Sequence, residues 1–420
     1  MRNNKGVFAN IDWTLVLIYF CMLIFGWVNI YAANYDEGAY NLISMQAEPG
    51  KQLFWIATSC VWIFFILLLD GKFYTTFSYL IYALVILLLI GVLIIGKEIG
   101  GARSWYDLGS FSMQPSEFAK VGVLLALSKY LSQLNLNLTK LETQLRALAI
   151  LGFPIVLIML QPDAGSAIIF ASLFLVLFRE GIPSVYLTIL GLAIALFIIT
   201  LKFEILTTII IISIAAILFG YLLKKGRKSL KPAIFSLILG LGFAHSVGYL
   251  YSDIFRPHMR SRIDLILGKI DDIHGAGYNL HQSKIAIGSG GFTGKGFLDG
   301  TQTKFNFVPE QSTDFIFCTI GEEWGFIGSL ITISLFVGLL FRLIILAERQ
   351  RSTFSRVYGY GVATILFCHF FINIAMTIGV MPVIGIPLPF FSYGGSSLWG
   401  FSILLFIFIK LDAYRMDILR

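Results

Sequence analysis

Carboxylates and cations set in a strongly apolar chain are the residues best able to do chemistry, and several groupings of them stand out. Asp314 is the sharpest. It closes the segment Pro309-Glu310-Gln311-Ser312-Thr313-Asp314-Phe315 and opens an apolar run, so it marks a boundary between polar and apolar chain. A carboxylate there can accept a proton as a general base, or can favour a helix start through the macrodipole. At about 100° per residue, Cys318, Gly321, Gly325 and Gly328 fall on its face, a small-residue strip that either admits another helix or leaves a groove. Glu322 and Glu323 lie elsewhere around that helix and read as packing or pairing groups.

Glu117 and Lys120 are three residues apart on one apolar helix, so their side chains share a face. They form either a structural ion pair or a polar floor beneath an outward-facing cavity. Asp163, between two apolar runs, is placed to cap the next helix or to contact Lys120 or a polar ligand. Arg103 beside Trp105 suits an anionic ligand with an apolar tail, or interfacial anchoring. His369 and Asn373 share a helix face and suggest an interhelical hydrogen bond, while His245, His258, His274 and His281 have no metal-ligand spacing. Prolines and glycines from Pro382 to Gly395 predict irregular backbone whose hydroxyls, Ser392 and Ser396 among them, can face a ligand.

The elements that position these groups are transmembrane helices. The chain is 57% hydrophobic and 13% charged, more apolar surface than a soluble fold of 420 residues could hide. Apolar runs of about 18 residues or more span a hydrocarbon core of about 30 Å. Runs such as Leu84 to Ile90 lack the alternation of barrel strands, so the class is all-α and polytopic. Hydropathy places twelve spans, near Trp13–Ala33, Gln52–Leu69, Tyr74–Ile95, Ser116–Leu131, Leu145–Leu160, Ala164–Phe178, Ser184–Leu201, Ile205–Leu223, Ala233–Tyr251, Thr313–Leu346, Val357–Val380 and Ser396–Ile409. The tenth is too long for one straight crossing and is expected to begin outside the hydrocarbon. The first is long enough to read as an uncleaved helix.

With Met1 cytoplasmic, most of the 31 Lys and Arg fall in inner loops, Lys224-Lys225-Gly226-Arg227-Lys228 most densely. Both termini are then inside, and Ser252–Ser312 is a long outer loop. That loop interleaves Lys284, Lys295 and Lys304 with Gly288-Ser289-Gly290-Gly291, Gly294, Gly296 and Gly300, as a working loop would. Scattered basic residues argue against nucleic acid as a partner. The four cysteines (Cys21, Cys60, Cys318, Cys368) lie in apolar segments and read as reduced thiols.

Taken together, the chain resembles the SEDS family of bacterial cell-wall polymerases. The resemblance runs through Ser104-Trp105, Gln114-Pro115-Ser116-Glu117-Phe118-Ala119-Lys120, Gln161-Pro162-Asp163-Ala164-Gly165 and Gln282 to Gly291. It continues through Gly294-Lys295-Gly296, Pro309 to Phe317, Gly321-Glu322-Glu323-Trp324-Gly325 and Pro387 to Ser397. Gly300-Thr301-Gln302 is similar to the rod-elongation branch rather than the division branch. The resemblance implies one membrane domain over 1–420 that polymerises lipid II, an undecaprenyl-pyrophosphate-linked disaccharide-pentapeptide, at the outer face of the inner membrane. It implies partnership with a class B penicillin-binding protein and other membrane proteins of the elongation machinery. It assigns catalysis to Asp314, and substrate contacts are expected from Arg103, Trp105, Glu117, Lys120, Asp163, Lys284, Lys295, Glu310, Ser392 and Ser396. The departing pyrophosphate needs a cation, from Arg103, Lys284 or Lys295 or from a divalent ion such as magnesium or manganese. An apolar groove would hold the polyprenyl tails.

Two departures from the family pattern stand out. Ser312 occupies a position where His is usual, and 184–251 holds three spans where one is expected, an extra pair that preserves sidedness. A lipid II flippase or a non-catalytic scaffold are the rival classes; a flippase needs polar groups spread through the bilayer, whereas these cluster outside, apart from Glu117 and Lys120.

Overall fold

The computed structural model describes every residue except 1–9, 36–43, 100, 108, 110, 204, 226–229, 256, 271–274, 276 and 416–420. Gly226, Arg227 and Lys228 of the basic anchor, and His274, therefore lie outside the described residues. The chain forms two compact units, one of residues 1–182 with 279–420 and one of 183–278.

The first unit begins with α1 (Trp13–Ala33), α2 (Glu48–Leu68) and α3 (Gly71–Ile95). Asp12 and Asp70 cap α1 and α3, accepting from Leu15 N and Lys72 N at 3.1 Å each. A small antiparallel sheet follows, β1 (Lys97–Ile99), β2 (Ala102–Asp107) and β3 (Ser112–Met113), in that order across the sheet. No strand was expected there, and pairing within one short stretch makes it a local feature of the loop. Then come α4 (Pro115–Leu131), α5 (Leu141–Leu160), α6 (Ala164–Ser172) and α7 (Phe174–Arg179). Pro115 takes the first position of α4, where its missing N–H costs nothing.

The second unit contains α8 (Ser184–Lys202), α9 (Ile205–Lys225), α10 (Lys231–Tyr249), a π-helical turn at Leu250–Ile254 and α11 (Pro257–Ile266). Within it α10 packs on both α8 and α9, and the outer faces carry exposed Leu, Ile and Phe, as helices in lipid do. The expected outer loop 252–312 is thus not one piece. Its first part belongs to this unit and its remainder to the first.

The chain returns with α12 (Tyr278–Ser289), α13 (Thr301–Lys304), α14 (Ile316–Glu323), α15 (Gly325–Glu348), α16 (Thr353–Thr377) and α17 (Gly395–Ala413). Nine helices among the described residues are long and apolar enough to cross a membrane. The other three expected spans are helical too: α4, the α6–α7 pair, and α9, whose apolar stretch is Leu206–Leu222. The tenth run breaks at Trp324, where Gly325 adopts φ +61°, so α14 stands before the membrane-length α15. The core gathers on α4, α16 and α17, which are buried along most of their lengths. A Cβ at Gly400 of α17 would lie 3.0 Å from the Glu117 carbonyl, so this glycine permits the close crossing with α4.

At the far end of α15 from Asp314, Arg342 donates to both oxygens of Asp12, at 3.2 and 2.6 Å, and Arg349 pairs with Asp412. These bidentate pairs fasten the ends of α1, α15 and α17.

Candidate functional site

Asp314 lies in a turn built on Glu310, whose φ is +56° and whose carbonyl accepts from Thr313 N at 3.2 Å and Phe315 N at 3.1 Å. The Glu310 carboxylate accepts from Thr313 Oγ1 at 2.9 Å. Phe315, not Asp314, is the N-cap of α14, and its side chain makes no capping bond. Asp314 stands one residue before that cap, half-buried. The segment between α16 and α17 wraps this turn. Ser392 Oγ donates to Thr313 O at 2.6 Å and accepts from Leu388 N at 2.8 Å, while Tyr393 N donates to Ser312 O at 2.8 Å. Asn373 Nδ2 donates to Asp314 O at 2.8 Å and Ile386 O at 2.7 Å. A Cβ at Gly385, whose φ is +69°, would come 3.3 Å from Asp314 Oδ2, so this glycine lets the backbone lie directly against the carboxylate.

The Glu117–Lys120 pair lies deeper. Its N–O distance is 2.7 Å, and its side chains are 5% and 3% exposed, so it is closed off rather than lining an open cavity. Lys120 Nζ also lies 3.1 Å from His369 Nε2 and 4.4 Å from the Phe401 ring centre. His369 Nδ1 is 3.3 Å from Pro387 O, which connects the ion pair to the segment that wraps Asp314. His369 and Asn373 thus bind loop carbonyls as well as α4, beyond the helix-to-helix bond their spacing suggests.

Asp163 caps α6, accepting from Ser166 N at 3.0 Å and Ser166 Oγ at 2.7 Å, and also from Gln114 Nε2 at 3.0 Å. Lys284 lies across the last turn of α16, where a Cβ at Gly379 would come 2.7 Å from its Nζ; an ammonium suits a helix C-terminus. Arg103 is exposed on β2 opposite Glu98, and Trp105 is paired with Lys97. Ser396 is buried in the first turn of α17.

Part of the small-residue strip is packed, since a Cβ at Gly321 would come 3.0 Å from the Ile287 side chain. The break at Trp324 ends the common face after Gly321, and α12 with the following glycines packs there. A Cβ at Gly290 would meet Gly321 O at 1.9 Å, and one at Gly294 would meet Glu323 O at 2.0 Å. Glycine is needed there because backbone packs on backbone. Glu322 fixes the same region. Its buried carboxylate accepts from Lys295 Nζ at 2.6 Å, Gln302 N at 2.8 Å, and Thr303 N at 2.9 Å. Burial alone would raise its pKa, but these hydrogen bonds together hold it below the usual carboxylate range. Burial lifts Glu323 to about 7 against a backbone bond from Leu298, helped by the charges of Glu322 and Asp299. Lys295 is therefore occupied by Glu322 and by Thr301 Oγ1, at 2.7 Å. Glu322→Ala should destabilise the 290–304 segment by roughly 1–3 kcal/mol, because the buried N–H groups of Gln302 and Thr303 lose their acceptor. Faster hydrogen exchange at Gln302 and Thr303 would report it; unchanged protection would refute the clamp.

Of the expected contact residues, the fold brings Glu310 and Ser392 to the Asp314 turn and links Glu117 and Lys120 to its wrapping segment. Gly385 carried no side-chain signal in sequence, and the double bond of Asn373 was hinted at only by its spacing from His369.

The family model described as cell cycle protein, FtsW/RodA/SpoVE, matches residues 12–230 and 206–417. The chain is 30% identical to peptidoglycan glycosyltransferase RodA of Treponema pallidum, over 98% of this chain and 99% of that one. It is 32% identical to peptidoglycan glycosyltransferase MrdB of Escherichia coli K12, over 94% and 92%. Its fold is similar to a chain of a peptidoglycan synthase complex solved for the coordination of polymerisation and crosslinking, with TM-score 0.71, 26% identity, and coverage of 96% and 98%. Rod shape determining protein RodA of Thermus thermophilus gives TM-score 0.63 at 25% identity, covering 96% and 97%.

Proposed function

The chain belongs to the FtsW/RodA/SpoVE family, and from that premise we propose that it is a peptidoglycan glycosyltransferase that polymerises lipid II during cell elongation. The observation that carries this reading is the Asp314 turn, held by Ser392, Tyr393 and Asn373 with the carboxylate facing bare Gly385. The 4-hydroxyl of the acceptor sugar attacks C1 of the donor. As that C–O bond forms, the bond from C1 to the pyrophosphate oxygen breaks and its electron pair leaves with the lipid pyrophosphate. Asp314 takes the hydroxyl proton. Lys284 and Arg103 remain the candidate cations for the leaving group, because Lys295 already serves Glu322. Among the described residues no three His, Cys, Asp or Glu side chains converge as metal ligands, and no step is drawn through an ion.

The reading places the Asp314 turn on the outer face of the bacterial inner membrane, both termini in the cytoplasm, and a class B penicillin-binding protein alongside to crosslink the strands. Sidedness is tested by labelling single cysteines at Thr139 and Asp299, both exposed, from outside intact cells. Residue 299 should react and residue 139 should not; the reverse pattern would invert the topology and remove Asp314 from its substrate. Activity is tested with the purified protein, lipid II and labelled-product analysis. Glycan strands are expected, whereas lipid II translocation without polymer would make the protein a flippase.

A further inference from the structure

We infer that Asn373 is a positioning residue for Asp314, a step that rests on the reading of Asp314 as the general base. Its amide is the point at which three parts of the chain meet. It stands on α16, four residues after His369, and Nδ2 donates both to the carbonyl of Asp314 and to that of Ile386, the residue after Gly385. One amide group therefore sets the Asp314 turn against the backbone that borders its carboxylate. The orientation is decided by chemistry. Turning the amide over would put its oxygen against two carbonyl oxygens, so Nδ2 must face them.

That orientation carries a cost, because Oδ1 is then buried with no hydrogen-bond partner among the described residues. The next turn of α16 reinforces the hold. Lys120 has no acceptor, so it donates to His369 Nε2; Nδ1 then carries the proton and donates to Pro387 O at 3.3 Å. His369 and Asn373 thus grip neighbouring carbonyls, one anchored to the Glu117–Lys120 pair and the other to Asp314. Asn373 does not touch the reacting atoms. It acts by fixing where the Asp314 carboxylate stands.

The test is Asn373→Ala in the full-length protein, read as kcat and KM for lipid II together with the thermal midpoint. A displacement of about 1 Å at a reacting group lowers rate by about 100-fold. The expected result is that loss in kcat, with KM within about two-fold, in a protein that still unfolds in one transition at a modestly lowered midpoint. Asn373→Ala is then added to Asp314→Asn. A residue that works only through Asp314 should cause no further loss there; a loss that multiplies in the double variant overturns the inference, as does unchanged kcat in the single one. Should Asn373→Ala fail to fold, Asn373→Ser, whose short hydroxyl cannot reach both carbonyls, is read by the same criteria. Failure of both to fold would assign the amide to folding alone and overturn the proposal. If Asp314→Asn is itself active, the general-base reading fails first, and a result on Asn373 cannot be mistaken for that failure.

Discussion

Asp314→Asn should lower glycan polymerisation by roughly two to four orders of magnitude, the range that general bases contribute, while leaving the protein folded and in the membrane. Asparagine keeps the size of the side chain and most of its hydrogen bonding but cannot take a proton at neutral pH. The contacts that hold the turn run through main-chain atoms: the carbonyls of Ser312, Thr313 and Asp314 receive Tyr393, Ser392 and Asn373. All of these survive the substitution. A helix-capping role would predict only a modest stability loss, and the fold already argues against one, because Phe315 is the N-cap of α14. Near-normal polymer synthesis at saturating lipid II by a folded Asp314→Asn protein would end the assignment. Glu310, which anchors the same turn, would then be the next carboxylate to change.

Lys120→Ala should destabilise the protein by roughly 3–5 kcal/mol, the usual result of removing one partner of a buried ion pair. The alanine would leave Glu117 charged in a low-dielectric core, remove the donor to His369 Nε2 and open a hole over Phe401. Changing both partners to apolar residues of similar size, Glu117→Leu with Lys120→Met, avoids the stranded charge and should restore most of the stability. Thermal midpoints in detergent and the amount of protein reaching the membrane measure the difference. Equal midpoints for the single variant and the unaltered protein would contradict the buried-charge argument. If the double variant folds but polymerises poorly, the pair has a functional role as well, transmitted through His369 to the segment that wraps Asp314.

Much of this was legible before the fold, and the reason differs from element to element. The apolar runs had to be membrane helices because lipid offers backbone groups no partner, and every one of the twelve expected positions is helical. The Glu117–Lys120 pair and the Asp163 cap were readable because each bond joins residues three apart, within one helical turn. Other expectations changed. Periodicity could not foresee the break at Trp324, because a positive φ at Gly325 is adopted only where Gly294 and Gly290 crowd against it. Lys295 looked like a free cation for pyrophosphate until folding brought Glu322, 27 residues on, against it.

The sequence by itself determined the membrane class, the helix-local ion pair and the placing of Asp314 at an edge between polar and apolar chain. These properties depend on solvent partition and on neighbours within a turn. Only the tertiary structure decided what surrounds that carboxylate. Asn373 reaches Asp314 from 59 residues away, Ser392 reaches Thr313 from 79, and Lys120 meets His369 across 249. Such partners are chosen by how helices cross and where backbones can approach. Those are properties of packed surfaces in three dimensions, and a one-dimensional pattern does not carry them.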